Sequence, residues 1–154
     1  MEDVAAATGI TKLIVYRHFD SKEVLYRSVL EQVSNRMVEV FVENVQAGTS
    51  TVGVRTYLTV ARELPEAFVL LWKHATREPQ FAHFVEDFRH NAVEVARANL
   101  GRRGPLTAWA PEALIDSLVA QVLDWLEHGD PAEDDAFVES AARGLRAMVD
   151  AWSG

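Results

Sequence analysis

The sequence predicts an all-α fold, and three observations lead to this prediction. Apolar residues recur at helical spacing in nearly every segment, and no segment shows the alternation of a half-buried strand. Prolines and glycines fall between the helical segments, where helices begin and end. Hydrophobic residues make up 49% of the 154 residues, which is enough for the core of one compact domain, or of a very small domain fused to a medium one.

Composition limits the class of protein. The chain has no cysteine, so disulfides and thiolate metal sites are excluded. No apolar run reaches the roughly 18 residues of a membrane span, and the N-terminus lacks the basic start and apolar stretch of a signal peptide. The net charge is −8, but residues 1–36 carry five basic and five acidic side chains, so the rest of the chain holds the whole negative balance. We expect a cytoplasmic protein without cofactor or membrane partner, whose N-terminal end is the part suited to phosphates.

Two short helices are predicted at the start of the chain. The first spans about 2–8, and the second begins near Thr11 and ends at Phe19. Between them, Gly9 permits a left-handed turn and Ile10 can pack against both helices. The pair has the proportions of a helix-turn-helix, although many helical hairpins without a role in DNA binding have the same glycine turn.

A long helix is predicted next. Asp20, Ser21, Lys22 and Glu23 have the form of a capping box, in which Asp20 accepts from the amide of Glu23. Apolar residues then repeat at helical spacing until Gly48 ends the helix. The members of this repeat are Leu25, Val29, Val33, Met37, Phe41 and Val45.

The middle of the chain is predicted as three helices separated by prolines. The first covers 52–64, and Pro65 starts a second helix, 65–77, since proline is tolerated in a first turn and disruptive deeper inside. Pro79 marks the start of the third, an aromatic-rich helix that ends near Leu100.

A loop at 101–105 precedes the last two predicted helices. The first of these, 112–128, is apolar on two sides and is therefore expected to be buried on both faces, and Gly129 stops it. A second capping box at 130–133 starts the final helix, 134–152. That helix carries an apolar stripe with no later segment to cover it.

The residues of the N-terminal motif resemble the signature of the TetR family of transcriptional regulators. TGITK at 8–12 resembles the family's A-G-V-[ST]-K turn, YRHF at 16–19 its Y-x-H-F helix end, and SKEVL at 21–25 its S-K-E-x-L helix start. The resemblance implies a helix-turn-helix DNA-binding region at 1–33, which is incomplete, and a helical ligand-binding and dimerisation domain at 34–154. Beyond residue 33 only the pattern of helices matches.

The resemblance also implies which side chains contact DNA, because the second helix of the motif enters the major groove. Without the resemblance, the aromatic residues are equally consistent with ordinary core and the lysines with solvated side chains. The implied contacts are Thr11 and Tyr16 to phosphate or base edges, Lys12 and Leu13 at the groove, His18 to the backbone and Lys22 to a phosphate.

The family places a further helix ahead of this motif, whereas the sequence opens inside the second helix. Two short helices cannot bury their own apolar residues. We therefore expect a truncated sequence or a misplaced start, and only weak DNA binding unless the first helix is restored. The alternative function is a sensor and dimerisation module that no longer binds DNA.

By the same resemblance, the body is a helix bundle with an interior cavity for a small apolar molecule. Its last two helices pair with those of a second copy as a four-helix interface. Large inward-facing side chains are the cavity candidates, although such stripes are more often plain core, and His74, His83 and His90 are the candidates for a polar contact. The cavity candidates are Tyr57, Phe68, Trp72, Phe84, Phe88, Leu118, Val122 and Trp125. The dimer candidates are Ile115, Val119, Leu126, Phe137, Ala141, Leu145, Met148 and Trp152.

An enzyme or a metal site is not predicted. His83, Glu86 and His90 fall roughly on one helix face, but their spacing lacks the HExxH form, and surface His and Glu need no function. No glycine-flanked serine elbow or phosphate-cradling glycine loop occurs. We therefore expect a homodimeric regulator, by family default a repressor, that a small apolar molecule releases from a palindromic operator.

Overall fold

The computed structural model describes residues 21–100 and 108–153, which form six α-helices and contain no β-strand. The all-α prediction is thus confirmed for this part of the chain. None of these helices is long and apolar enough to cross a lipid bilayer. The predicted helices at 2–8 and 11–19 and the loop at 101–105 lie outside the described residues. In chain order the helices are α1 (Lys22–Gln46), α2 (Val52–Glu63), α3 (Pro65–Val69), α4 (Ala82–Leu100), α5 (Ala110–His128) and α6 (Asp134–Ser153).

Helix α1 begins one residue later than the predicted capping box requires. Ser21 is extended, and its side chain accepts a hydrogen bond from the amide of Val24 at 3.2 Å, which makes Ser21 the N-cap. The side chain of Glu23, the last residue of the predicted box, pairs with Arg27 at 3.3 Å. The helix ends shortly before Gly48, whose φ of 70° is the left-handed conformation that commonly terminates helices.

The segment predicted as a single helix at 65–77 changes its hydrogen-bonding pattern twice. After α3 it forms a π-helical turn, Leu70–His74, and then a 3-10 turn, Ala75–Arg77. The wider π turn rotates the residues that follow relative to an ideal α-helix. Both adjacent leucines of this turn, Leu70 and Leu71, are buried.

The chain reverses between α5 and α6 at Gly129. A Cβ atom at this position would lie 2.2 Å from Cδ2 of Trp125, so glycine is required for the indole to lie against the backbone. Asp130 then accepts from the amide of Ala132 at 2.9 Å and caps the 3-10 turn Pro131–Glu133, which leads into α6. In the predicted second capping box, Asp130 would accept from the amide three residues later. In the structure it accepts from the amide two residues later.

Helix α2 lies at the centre of the bundle, where it packs against α1, α5 and α6. Two arginines tie it to its neighbours. Arg36 of α1 donates to both carboxylate oxygens of Glu63, at 2.7 and 3.0 Å, and these hydrogen bonds hold the pKa of Glu63 below its ordinary value. At the same end of α2, Arg62 donates to both oxygens of Asp134 of α6, at 2.9 and 2.8 Å. Bidentate pairs of this kind fix the relative position of two helices.

Candidate ligand cavity and nucleic-acid interface

A cavity of about 640 Å³ lies between α1, α2, α4, α5 and α6. This volume falls within the range of about 300–1,000 Å³ that is usual for small-molecule sites. The buried part of its wall includes Met37, Val54, Thr56, Tyr57, Ile115, Leu118 and Ala142. Its mouth is formed by exposed residues, among them Val38, Ser50, Asn91, Val95, Asn99, Arg146 and Asp150.

The buried wall of the cavity is chiefly apolar. It contains two buried threonines, Thr51 and Thr56, of which Thr56 already accepts a hydrogen bond from the side-chain amide of Asn44 at 3.0 Å. The charged lining residues, Arg146 and Asp150, both lie at the mouth on α6. The inner wall would therefore shield the apolar part of a ligand from water. A polar group at one end of that ligand could remain at the exposed mouth.

Four aromatic residues, Tyr57, Phe68, Trp72 and Phe88, pack together beside the cavity, and we call them the aromatic cluster. The ring of Tyr57 lies 6.3 Å from Phe68, 5.9 Å from Trp72 and 6.4 Å from Phe88. The rings of Trp72 and Phe88 are 5.8 Å apart. Tyr57 and Phe88 line the cavity, whereas the other two do not. The aromatic cluster thus joins the cavity to the core.

Two hydrogen-bond donors of the aromatic cluster are buried without a partner in the part of the chain that the structure describes. They are the hydroxyl of Tyr57 and Nε1 of Trp72. Burial raises the pKa of Tyr57 well above its ordinary value, so the hydroxyl keeps its proton. A buried donor without a partner costs about 1–3 kcal/mol and is rare in native proteins. Each of these donors therefore requires an explanation.

The predicted cavity residues divide into two groups. Tyr57, Phe88 and Leu118 line the cavity. The other five, which pack in or against the core without lining the cavity, are Phe68, Trp72, Phe84, Val122 and Trp125.

Trp125 is held in a structural network. Its Nε1 donates to Oδ1 of Asp134 at 2.7 Å, and its ring stacks on Phe137 with centroids 4.7 Å apart. The hydrogen bonds from Arg62 to Asp134, together with the one from Trp125, lower the pKa of that carboxyl below its ordinary value. The polar atom of the indole is thus already engaged in joining α5 to α6.

The histidines predicted as polar contacts lie away from the cavity. His74, His83 and His90 are all exposed, and none of them lines it. Glu86, which falls roughly on the same helix face as His83 and His90, is also exposed. Within residues 21–100 and 108–153, no group of three or more His, Asp or Glu side chains is placed to hold a metal ion.

The predicted dimer residues lie on several faces of α5 and α6. Ile115 and Leu145 line the cavity, and Phe137 is the residue on which Trp125 stacks. On the exposed side of α6, a Cβ atom added at Gly144 would meet no atom within 4 Å. A second copy of the chain would contact exposed surfaces of this kind rather than side chains buried inside one chain. The remaining candidates, all buried or half-buried within the single chain, are Val119, Leu126, Ala141, Met148 and Trp152.

Lys22 is the predicted DNA contact that falls within the described residues. It is exposed in the first turn of α1. The same helix continues without interruption to Met37, Val38 and Phe41 in the cavity wall. It therefore crosses the predicted domain boundary after residue 33 and joins the two regions. The predicted contacts outside the described residues are Thr11, Lys12, Leu13, Tyr16 and His18.

Several cavity residues are absent from the predicted set. Met37 and Phe41 belong to the apolar repeat of the long helix, and nothing in that repeat distinguishes a cavity wall from core. Asn91, Val95 and Asn99 follow one another at four-residue intervals on α4, next to its aromatic stripe. Two asparagines on one face of a helix, next to its aromatic stripe, were a usable signal for the mouth of a cavity.

Comparison with known proteins relates the N-terminal segment to one family. Residues 1–29 match the family model for bacterial regulatory proteins, tetR family. An alignment of 153 positions gives 23% identity to the HTH-type transcriptional activator FasR of Mycolicibacterium smegmatis, and it covers 93% of this chain and 70% of that protein. The comparison with solved structures finds no match. The family match and this relative both point to a transcription regulator.

Proposed function

Because the chain belongs to the TetR family of bacterial regulatory proteins, we propose that it is a homodimeric transcriptional regulator whose DNA affinity responds to a small apolar molecule in the cavity. The operator is palindromic, since a two-fold symmetric dimer presents two equivalent recognition helices. Such a function places the protein with the chromosome in the cytoplasm.

The observation that carries this proposal is the continuity of α1. Its first turn holds Lys22, which lies within the segment that matches the family model, and its second half lines the cavity through Met37, Val38 and Phe41. A ligand that contacts these three residues touches the same rigid element that begins at the DNA-binding region. Coupling requires a ligand that binds the DNA-bound and DNA-free arrangements with different affinities, and displacement of α1 is a direct way to produce that difference.

Two directions of regulation are candidates. Repression, relieved by the ligand, is the default that the resemblance implies. Activation is the second candidate because the relative from Mycolicibacterium smegmatis is named a transcriptional activator. Transcription in vitro from a promoter that carries the selected operator distinguishes them, since added protein lowers the transcript level in one case and raises it in the other.

The proposal is tested by selecting bound sequences from a random DNA pool and titrating the protein against the enriched sequence. We expect an inverted repeat whose half-sites are about one helical turn, roughly 34–36 Å, apart or a multiple of it. Apolar compounds that raise the melting temperature should change the affinity for that sequence. Recovery of no sequence would contradict DNA binding and favour the alternative given above, a sensor and dimerisation module that does not bind DNA. An operator affinity indifferent to every stabilising compound would contradict the response to a ligand.

Replacing Lys22 with alanine should weaken DNA binding at every sequence. A phosphate contact releases a counterion, and Lys22→Ala removes one contact from each protomer of the dimer, so it should flatten the slope of log affinity against log salt by about two units. The matched control is Lys73→Ala, which removes an exposed lysine from the π-helical turn. Fluorescence anisotropy across a salt series measures both variants. Equal slopes for Lys22→Ala, Lys73→Ala and the unchanged protein would remove Lys22 from the interface.

A further inference from the structure

We infer that the molecule bound in the cavity carries a neutral hydrogen-bond acceptor, such as a ketone, ester or ether oxygen, to which the hydroxyl of Tyr57 donates. The inference rests on the ligand-responsive function proposed above and adds the chemical class of the ligand.

The starting observation is a donor without an acceptor. Tyr57 is 5% exposed, it belongs to the cavity wall, and its hydroxyl has no partner among the described residues. The burial of such a donor is unfavourable. A ligand that supplies an acceptor removes this unfavourable contribution, whereas a pure hydrocarbon of the same shape leaves it in place. The cavity should therefore select for an acceptor at this point.

The charges near Tyr57 favour a neutral acceptor over an anion. Burial keeps the phenol protonated, so it acts as a donor. The positive charge that acts on Tyr57 belongs to Arg89, which is already bound by Asp116 and Glu112 of α5. This group of three side chains carries a net negative charge. A ligand carboxylate brought to the hydroxyl would lose its hydration beside this negative group, because the cation of the cavity lining, Arg146, lies at the exposed mouth of the cavity.

Access to the hydroxyl depends on Phe88. Both donor atoms of the aromatic cluster are buried, and Phe88 packs against the rings of Tyr57 and Trp72 while it lines the cavity. Phe88 is half-buried and therefore has solvent on one side, so a change of its rotamer is the route by which we propose that a ligand reaches the donors. A ligand with two suitably spaced acceptors would then engage Nε1 of Trp72 as well.

The test compares three probes that share two phenyl rings: benzophenone, diphenylmethane and diphenylacetate. By calorimetry in the same cosolvent, the unchanged protein should bind benzophenone about tenfold more tightly than diphenylmethane, as expected for one hydrogen bond to an otherwise unsatisfied donor. Diphenylacetate should bind more weakly than either. Tyr57→Phe should abolish the preference for benzophenone and keep the affinity for diphenylmethane, because the ring remains.

The matched control is Tyr26→Phe, which makes the same change at a buried tyrosine that stacks on Phe81 at 4.1 Å and does not line the cavity. It should keep the tenfold preference. Absence of benzophenone binding, equal affinity of the unchanged protein for the two neutral probes, or a preference that survives in Tyr57→Phe overturns the inference. These measurements contain no DNA, so they are decided independently of the operator titrations that test the proposed function.

Discussion

The substitution Gly144→Glu should convert a dimer into monomers and lower operator affinity by about 100-fold or more, because two linked half-site contacts become one. Gly144 is exposed on α6, and a Cβ atom there would meet nothing within 4 Å in the single chain. The new side chain therefore fits the protomer, and replacing a helical glycine favours the helix itself. At a two-fold interface, the two introduced glutamate side chains, one from each copy, would place two negative charges in a contact from which water is excluded.

Sedimentation velocity at micromolar concentration and the DNA titration measure the two effects. The control is Ala98→Glu, which adds the same charge on the exposed side of α4. This variant should remain a dimer with unchanged DNA affinity. Leu145 and Val119 are poorer test positions on the same two helices, because Leu145 lines the cavity and Val119 is buried within the chain. A dimeric Gly144→Glu variant would place the interface on another surface, and a monomeric unchanged protein would contradict the dimer itself.

The helices were predictable because their limits are encoded locally. Periodicity with a proline and a glycine at the ends predicts 52–64 and 112–128, and the structure has Val52–Glu63 and Ala110–His128. The π-helical turn after α3 was not predictable in the same way. Its hydrogen bonds depend on how the segment packs against α1 and α4, and no residue type in it demands the wider turn.

The site was less predictable than the fold, because the sequence shows which side chains are apolar but not which neighbour each one meets. Tyr57 and Phe88 were identified as large inward-facing residues, and both line the cavity. Trp125 has the same appearance in the sequence. Its indole is engaged by Asp134, which is brought back to it only after the chain reverses at Gly129. A contact of this kind depends on tertiary geometry, so a pattern along one helix cannot separate cavity wall from structural core.

The same network supports the last prediction, which concerns stability. Asp134 accepts three hydrogen bonds, two from Arg62 and one from Trp125, and so joins α2, α5 and α6. Asp134→Asn removes the charge and one acceptor oxygen while it preserves the shape of the side chain. We expect it to lower the free energy of unfolding by about 2 kcal/mol near neutral pH, the scale of hydrogen bonds to a charged group. Urea denaturation at fixed protein concentration measures this difference without screening the ion pair.

This loss should depend on pH with a definite sign. The pKa of Asp134 is lower in the folded protein than its ordinary 3.8, chiefly because of the hydrogen bonds from Arg62. The carboxylate therefore stabilises the fold fully above pH about 5, and this contribution disappears as the pH falls through the depressed folded pKa. The difference between the unchanged protein and Asp134→Asn should shrink accordingly on acidification. The neighbouring Asp135, whose side chain is 90% exposed in its pair with Arg55, provides the control. Asp135→Asn should change stability by less than about 1 kcal/mol at any pH, and equal losses for the two variants would show that the Asp134 network does not hold the three helices together.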